Sequence, residues 1–207
     1  MLRDRDLVRL YWPVGLRPAF DALLDLDEAM GDVVARSTQP ALGAIKLAWW
    51  RERLQELDQG QVPAEPRLQA AAAELLPRRL SGADLARLEE GWAALLEQDP
   101  KLERVSATGE TLFELAAKLV GARDAMLAPA GRLHARQRVA RRGLGPRPEM
   151  GGELSGHVFA RRLRPVTALA ALAARDAGRG ERVEAEATPG RAFALLRHWL
   201  TGRLPPP

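Results

Sequence analysis

Four carboxylates recur along one stretch near the start of the chain and could bind a cation. They are Asp21, Asp25, Glu28 and Asp32, at the helical spacings i, i+4, i+7 and i+11. Side chains at these spacings lie on one face of a helix, and carboxylate oxygens are ligands that Mg²⁺ prefers. Two interpretations stay open. Asp25, Glu28 and Asp32 form an acidic site for a cation, or the four carboxylates, hereafter the acidic stripe, form a solvated helix face.

Guanidinium groups dominate a second segment, which could bind an anion. It contains Arg132, Arg136, Arg138, Arg141 and Arg142, and no acid occurs between Pro129 and Glu149. Arg132 and Arg136 are four residues apart and share a helix face. Each guanidinium can donate two parallel hydrogen bonds to a phosphate. These two residues are therefore the candidates for binding a phosphate or diphosphate. The alternative is a solvated arginine-rich surface, because charge alone identifies no partner.

The charge of the chain is unevenly distributed. The 207 residues carry a net charge of +4. Residues 1–130 contain 16 basic and 21 acidic residues, whereas residues 131–207 contain 15 basic and 6 acidic residues. Such an asymmetry is typical of a surface that meets nucleic acid, acidic lipid or a diphosphate.

Several classes of protein are excluded by composition. The chain has no cysteine, which rules out disulfides and cysteine-bound zinc. No apolar run approaches the roughly 20 residues of a membrane span, and the first ten residues lack the apolar core of a secretory signal. The histidines His134, His157 and His198 are too far apart in sequence to indicate a metal site. We therefore expect a cytoplasmic protein.

The elements that position these residues are predicted to be helices. Hydrophobic residues make up 46% of the chain and charged residues 28%, and the abundance of Ala, Leu, Arg and Glu favours helix. The pattern predicts an all-α, single-domain bundle of about eight or nine helices over residues 1–207, with a disordered tail at 203–207. Helices are predicted at 17–37, 40–57, 66–80, 82–98, from about 108, after 129, at 156–178 with a break at Pro165, and at 191–204.

Two adjacent tryptophans, Trp49 and Trp50, lie in the middle of one predicted helix. Neighbouring residues on a helix point about 100° apart, so the two indoles face different directions. The apolar arc of this helix is wide enough to predict contacts with two different neighbours, because the two tryptophans are joined by Leu42, Ile45, Leu54 and Leu57. Both tryptophans are candidate core anchors, and either one is a candidate for lining an apolar cavity.

The segment "IKLAWWRERLQELD" resembles the WWR segment of the squalene/phytoene synthase family, whose members have an all-α isoprenoid synthase fold. Other parts agree in order and spacing. "FDALLDLDEAMGDVV" lies where that family has its first aspartate-rich helix, and "LARLEEGWAALLE" is similar to a glycine-containing helix, with Gly91 at the glycine. The resemblance covers nearly the whole chain and implies an isoprenoid-synthase-like fold.

The same resemblance implies that the metal-binding motifs are incomplete. In active members, two aspartate-rich motifs hold Mg²⁺ ions that bind the diphosphate, while two prenyl diphosphates are joined head-to-head. The first motif falls on "GDVVA", where Gly31 and Ala35 replace carboxylates and Asp32 remains. The second falls on the arginine-rich segment, which would repel a cation. We therefore expect no catalytic residue, no metal site and no cofactor.

Two functions follow as expectations, and a third is not expected. The first is binding of an isoprenoid or another lipid, or of a protein partner, with peripheral membrane association. It includes an assembly role, because a mitochondrial respiratory complex I assembly factor is built on a similarly degenerate domain. The alternative is an active Mg²⁺-dependent prenyl-transferring synthase that uses the acidic stripe and direct arginine–diphosphate contacts. A nucleic-acid partner is not expected, because residues 132–142 lack the interleaved aromatics of single-strand binders.

Overall fold

The computed structural model describes residues 2–179 and 184–205, and within these ranges the regular structure is entirely helical. The all-α fold class is therefore confirmed. The α-helices are α1 (Asp4–Leu10), α2 (Arg17–Arg36), α3 (Pro40–Glu56), α4 (Pro66–Glu74), α5 (Gly82–Ala86), α6 (Leu88–Ala94), α7 (Leu102–Val120), α8 (Leu127–Arg141), α9 (Arg164–Ala177) and α10 (Pro189–Thr201).

Local sequence signals explain where six of these ten helices begin. Ser81 accepts a hydrogen bond from the backbone N–H of Asp84, and the Asp84 side chain bonds back to Ser81, so α5 begins with a capping box as its sequence indicates. Proline lies in the first turn of α2, α3, α4, α9 and α10, where its fixed φ fits and its missing N–H costs nothing.

Two predicted helices differ from the structure at their beginnings. The helix predicted over 156–178 begins only at Arg164, so Pro165 starts it and does not break it. The helix predicted from about Thr108 begins at Leu102. Its first turns bury Val105, Ser106 and Thr108, and the two hydroxyl residues hide the apolar pattern by which a buried helix face is recognised.

The predicted disordered tail begins with ordered residues. Leu204 is buried, and the backbone carbonyl of Arg203 lies 3.0 Å from Nδ1 of His198. Residues 206 and 207 lie outside the described residues. Within the described ranges, no helix combines the length and the apolar character of a membrane span.

The helices pack in a chain of neighbours that sets α2 opposite α8. Helices α7 and α8 make the most extensive contact, α8 also packs on α9, and α9 packs on α10. Helix α2 packs against α3, α4, α6 and α7. As a result, the acidic helix α2 and the arginine-rich helix α8 are held on two sides of one cleft.

Two glycines allow α7 and α8 to approach each other closely. A Cβ atom on Gly131 would clash with the backbone carbonyl of Gly109, and a Cβ atom on Gly109 would clash with that of Gly131. Backbone atoms cannot rotate away as a side chain can, so a methyl group here must push the helices apart. This contact fixes the position of α8, and therefore of its arginines.

We expect Gly131→Ala to lower the free energy of unfolding by about 1–3 kcal/mol, because overpacking displaces the backbone. Urea denaturation followed by circular dichroism measures this change. Gly15→Ala is the matched control, because a Cβ atom there meets nothing within 4 Å, and it should change stability by no more than about 0.5 kcal/mol. Equal stabilities of the two variants would contradict the close contact.

Candidate functional site

A buried carboxylate, Asp27 of α2, lies at the centre of a polar network inside the bundle. Its side chain has no exposed surface. Oδ1 of Asp27 accepts a hydrogen bond of 2.9 Å from Nε1 of Trp92 and one of 3.0 Å from Nη2 of Arg138. Nη1 of Arg138 donates to Oδ2. The carboxylate is therefore held by a bidentate guanidinium and an indole, and this arrangement compensates its charge.

Asp27 is not among the site residues predicted from the sequence, although one feature of the sequence marks it. Leu23, Met30 and Val34 are at i−4, i+3 and i+7 from Asp27, and all three are buried. An acid in the middle of an apolar helix face is the informative exception to the rule that charges stay outside. It indicates a buried partner of opposite charge, but nothing in the sequence of α2 says which residue that partner is.

Arg138 of α8 and Arg142, which directly follows this helix, lie over the ring of Trp92. The guanidinium carbon of Arg138 lies 4.5 Å from the ring centroid, and that of Arg142 lies 5.3 Å from it. Both distances fall in the range of cation–π attraction. Burial, followed by repulsion from Arg142, lowers the pKa of Arg138 to about 9, which still leaves the group charged at neutral pH. Two positive charges are thus stabilised by one aromatic ring and the carboxylate beside it.

Gly31 provides the space that Arg142 occupies. A Cβ atom on Gly31 would clash with Nη1 of Arg142 and would lie within 3 Å of the Trp92 ring. Nη2 of Arg142 lies 3.4 Å from Oδ1 of Asp32. Gly31 and Asp32 are the positions where the resemblance places two metal-binding carboxylates. In the structure, the guanidinium of Arg142 occupies the space beside Gly31, and Asp32 binds this guanidinium.

The acidic stripe of α2 is engaged by arginines along its whole length. Arg5 contacts Asp25 at 2.7 Å and Glu28 at 2.9 Å, and Arg9 contacts Asp21 at 2.7 Å. Asp32 contacts Arg36 at 3.2 Å as well as Arg142. The candidate residues Asp25, Glu28 and Asp32 are therefore only partly solvated, since basic groups of α1, α2 and α8 bind them.

Some of these groups, among them Arg5, Glu28 and Asp32, line a pocket of about 450 Å³ between α1, α2, α8 and α9, hereafter the arginine pocket. Leu24, Leu169 and Leu172 supply part of its wall, and Glu28 and Asp32 lie at its α2 side. The arginines that line it are Arg3, Arg5, Arg138, Arg141, Arg142 and Arg191. Its volume lies in the range of small-ligand sites, and its lining combines these six arginines with five carboxylates, those of Asp4, Glu28, Asp32, Asp176 and Glu186.

Three buried polar atoms of residues that line this pocket have no hydrogen-bond partner among the described residues. They are Nη1 of Arg142, Nε of Arg138 and Oε1 of Gln137. A buried donor or acceptor that lacks a partner costs free energy, so each of these atoms can gain from a bound ligand or water. Two of the three are guanidinium donors, which favours a ligand that carries acceptor oxygens.

The predicted anion-binding pair, Arg132 and Arg136, lies outside the arginine pocket. Arg132 donates to Glu110 at 2.8 Å and to Glu153 at 3.4 Å. Nε of Arg136 is buried without a partner in the described part of the chain. Of the arginines in this segment, Arg138, Arg141 and Arg142 line the pocket, because the other faces of α8 meet α7 and α9.

The adjacent tryptophans of α3 face different environments, as their spacing predicts. Trp50 is 7% exposed and Trp49 is 41% exposed, with their rings in an edge contact at 5.3 Å. Leu42 and Ile45 are also exposed. Helix α3 does contact more than one neighbour, since it packs against α2, α5 and α6, but Leu42, Ile45 and Trp49 leave their part of the predicted apolar arc open to solvent. Neither tryptophan lines the arginine pocket.

The histidines occupy structural positions. Burial lowers the pKa of His134 to about 4, so its ring is neutral at physiological pH. His157 contacts Asp124 at 3.0 Å, and His198 contacts Thr167 at 2.9 Å. Among the residues that the structure describes, no group of three or more His, Cys, Asp or Glu side chains is arranged to hold a metal ion.

Comparison of the chain with family models, curated proteins and solved structures finds no match. The resemblance to the squalene/phytoene synthase family therefore stays a prediction, based on the WWR segment and the positions of the two motifs.

Proposed function

We propose that this chain is a squalene/phytoene synthase-like binding protein that holds the anionic head group of an isoprenoid diphosphate, or of another phosphorylated lipid, in the arginine pocket. The observation that supports the proposal is the placement of Arg142. Its guanidinium fills the space left at Gly31, pairs with Asp32, and retains a buried N–H that lacks a partner. A phosphate oxygen is an acceptor that fits this donor.

The residues present do not fit a Mg²⁺ cage. A cage needs carboxylate oxygens from two facing helices. In this chain the facing helix α8 supplies Arg138, Arg141 and Arg142 to the pocket, and the carboxylates of α2 already bind guanidinium groups. A guanidinium can neutralise the charge of a diphosphate, but as a cation it cannot act as a ligand for Mg²⁺. Binding without condensation is therefore the proposed activity, in a lipid-binding or assembly-type role.

We expect inorganic pyrophosphate or farnesyl diphosphate, added with EDTA, to raise the melting temperature of the protein. A ligand present at 100 times its Kd adds about 2.7 kcal/mol of stability, which corresponds to about 5–10 °C for a chain of this size. Arg142→Gln should weaken binding at least about tenfold, because it removes a charge-assisted hydrogen bond. The affinity of Arg142→Lys should lie between those of the parent and Arg142→Gln, since lysine keeps the charge but loses the planar donor pair.

Arg36→Gln is the matched control for Arg142→Gln. Both arginines contact Asp32, but the Arg36 side chain is 80% exposed and that of Arg142 is 24% exposed. Arg36→Gln should therefore keep the affinity of the parent. Comparing the two ligands separates the contribution of the head group from that of the tail. Pyrophosphate alone should raise the melting temperature if the arginines provide the binding energy. Absence of a shift in the parent, or equal losses in both variants, would contradict the proposal.

Product analysis tests the remaining alternative, a working synthase. Incubation with farnesyl or geranylgeranyl diphosphate and Mg²⁺ should yield no squalene or phytoene. Formation of either product above a protein-free blank, with loss in Asp32→Ala, would establish prenyl transfer instead of binding alone.

A further inference from the structure

Helix α10 presents an apolar stripe to solvent. Phe193, Leu196 and Leu200 are at i, i+3 and i+7, and they are 67%, 45% and 68% exposed. The opposite side of the helix buries Ala194, Leu195 and His198. Because large apolar side chains on a single stripe are rare on surfaces that meet only water, the stripe marks an interaction surface.

The stripe borders a second apolar feature at the end of α1. The rings of Trp199 and Tyr11 are in contact, with centroids 5.3 Å apart. Both line a pocket of about 520 Å³, whose other walls include Pro13, Leu16 and Pro165. Tryptophan and tyrosine each combine an apolar ring with a polar group, a combination enriched where protein meets the boundary between lipid and water.

Four arginines surround this region without a counter-charge. Arg161 and Arg162 line the pocket beside Trp199, Arg197 lies on α10 between the stripe residues, and Arg203 follows the helix; all four are exposed. In residues 2–179 and 184–205, their side chains make no hydrogen bond or ion pair. The arginines of the arginine pocket, in contrast, pair with acids, so the four arginines of this region keep a positive charge that no acid of the described residues neutralises.

We propose that this surface, formed by the α10 stripe, the Tyr11–Trp199 pair and the four unpaired arginines, docks on an anionic lipid bilayer. A helix with apolar side chains on its outer face and basic residues beside them lies in the membrane interface, where the apolar groups leave water and the cations meet lipid phosphates. Charge complementarity selects the bilayer over a second copy of the chain, because a symmetric pairing of this surface would bring the unpaired arginines of both copies together.

Vesicle co-sedimentation tests the docking surface. The probes are vesicles of phosphatidylcholine alone and of phosphatidylcholine mixed with phosphatidylglycerol. The parent should bind the mixed vesicles more tightly, and added salt should weaken this binding. Removing one unpaired arginine, as in Arg197→Gln, should cost about fivefold in affinity. Phe193→Ser/Leu200→Ser should cost about tenfold or more, since two apolar side chains no longer leave water.

Two control variants locate the contact. Ile45→Ser removes an apolar side chain that is 66% exposed on α3, so it matches Phe193 in exposure but lies on another surface, and it should bind like the parent. Arg36→Gln removes an arginine that is 80% exposed on α2 and lies outside both the arginine pocket and this surface, so it should also bind like the parent. Loss of binding in either control, with binding retained in Phe193→Ser/Leu200→Ser, would overturn the inference.

Fluorescence quenching gives a second, independent measurement. Trp12, Trp50 and Trp92 are buried, so lipids brominated in their acyl chains should quench chiefly Trp199. Quenching should disappear in Trp199→Phe and persist in Trp49→Phe. Equal binding of the parent to neutral and acidic vesicles would overturn the proposal. So would a dimer in light scattering that Phe193→Ser/Leu200→Ser converts to a monomer, since the stripe would then pair with a second copy.

Discussion

Asp27→Ala is expected to lower the free energy of unfolding by about 3–5 kcal/mol, because breaking a buried ion pair leaves an uncompensated charge. Arg138 would remain stacked on Trp92 with no carboxylate beside it, and Nε1 of Trp92 would lose its acceptor. Urea denaturation followed by circular dichroism measures the change.

Two further variants show whether the loss comes from the buried pair. Asp25→Ala removes a carboxylate of the same helix that is 43% exposed and paired with Arg5, and it should cost no more than about 1 kcal/mol. Asp27→Leu/Arg138→Met replaces both charges by apolar groups and should recover most of the stability, since an apolar pair avoids the cost of desolvation. A double variant as unstable as Asp27→Ala would mean that packing, and not the unpaired charge, explains the loss.

Trp50→Ala should also cost about 3–5 kcal/mol, because removal of a large buried side chain leaves a cavity. Trp50 is 7% exposed and shares its side of α3 with the fully buried Leu47 and Leu54. Its neighbour Trp49 is 41% exposed, and Trp49→Ala should cost about 1 kcal/mol, mostly from the lost ring contact.

Thermal and urea unfolding of the two tryptophan variants should therefore differ clearly. The pair is a matched comparison, since the residue type, the helix and the substitution are the same and only the exposure differs. Similar losses of stability in both variants would mean that the outer side of α3 is covered in solution, for example by a partner on Leu42, Ile45 and Trp49.

Helix positions follow from local chemistry, and local chemistry is readable in a sequence. The Ser81 capping box and the proline at the start of α3 and α10 specify helix ends within a few residues. The prediction is less accurate where helix formation depends on packing. Ser106 and Thr108 are polar in sequence yet buried in α7, and Arg164, not Gly156, begins α9.

The candidate site was predictable only as a pair of segments. The acids of α2 and the arginines of α8 are visible in the sequence, but their partners are not. Helical spacing favours Arg132 and Arg136 as an anion-binding pair, whereas the structure assigns Arg132 to Glu110 and Glu153. Spacing specifies which side chains share a face of one helix, and it carries no information on which helix that face meets.

By itself, the sequence determined the helical fold class, the opposite charges of α2 and α8, and the divergent directions of Trp49 and Trp50, because each depends on residues within a few turns of one another. The tertiary structure alone decided that Asp27 is the central carboxylate and that Arg138, 111 positions away, compensates it. It also decided that Gly31 makes room for Arg142. Contacts between distant residues depend on how helices pack, and here the backbone approach of Gly109 and Gly131 sets the position of α8 that brings its guanidinium groups to α2.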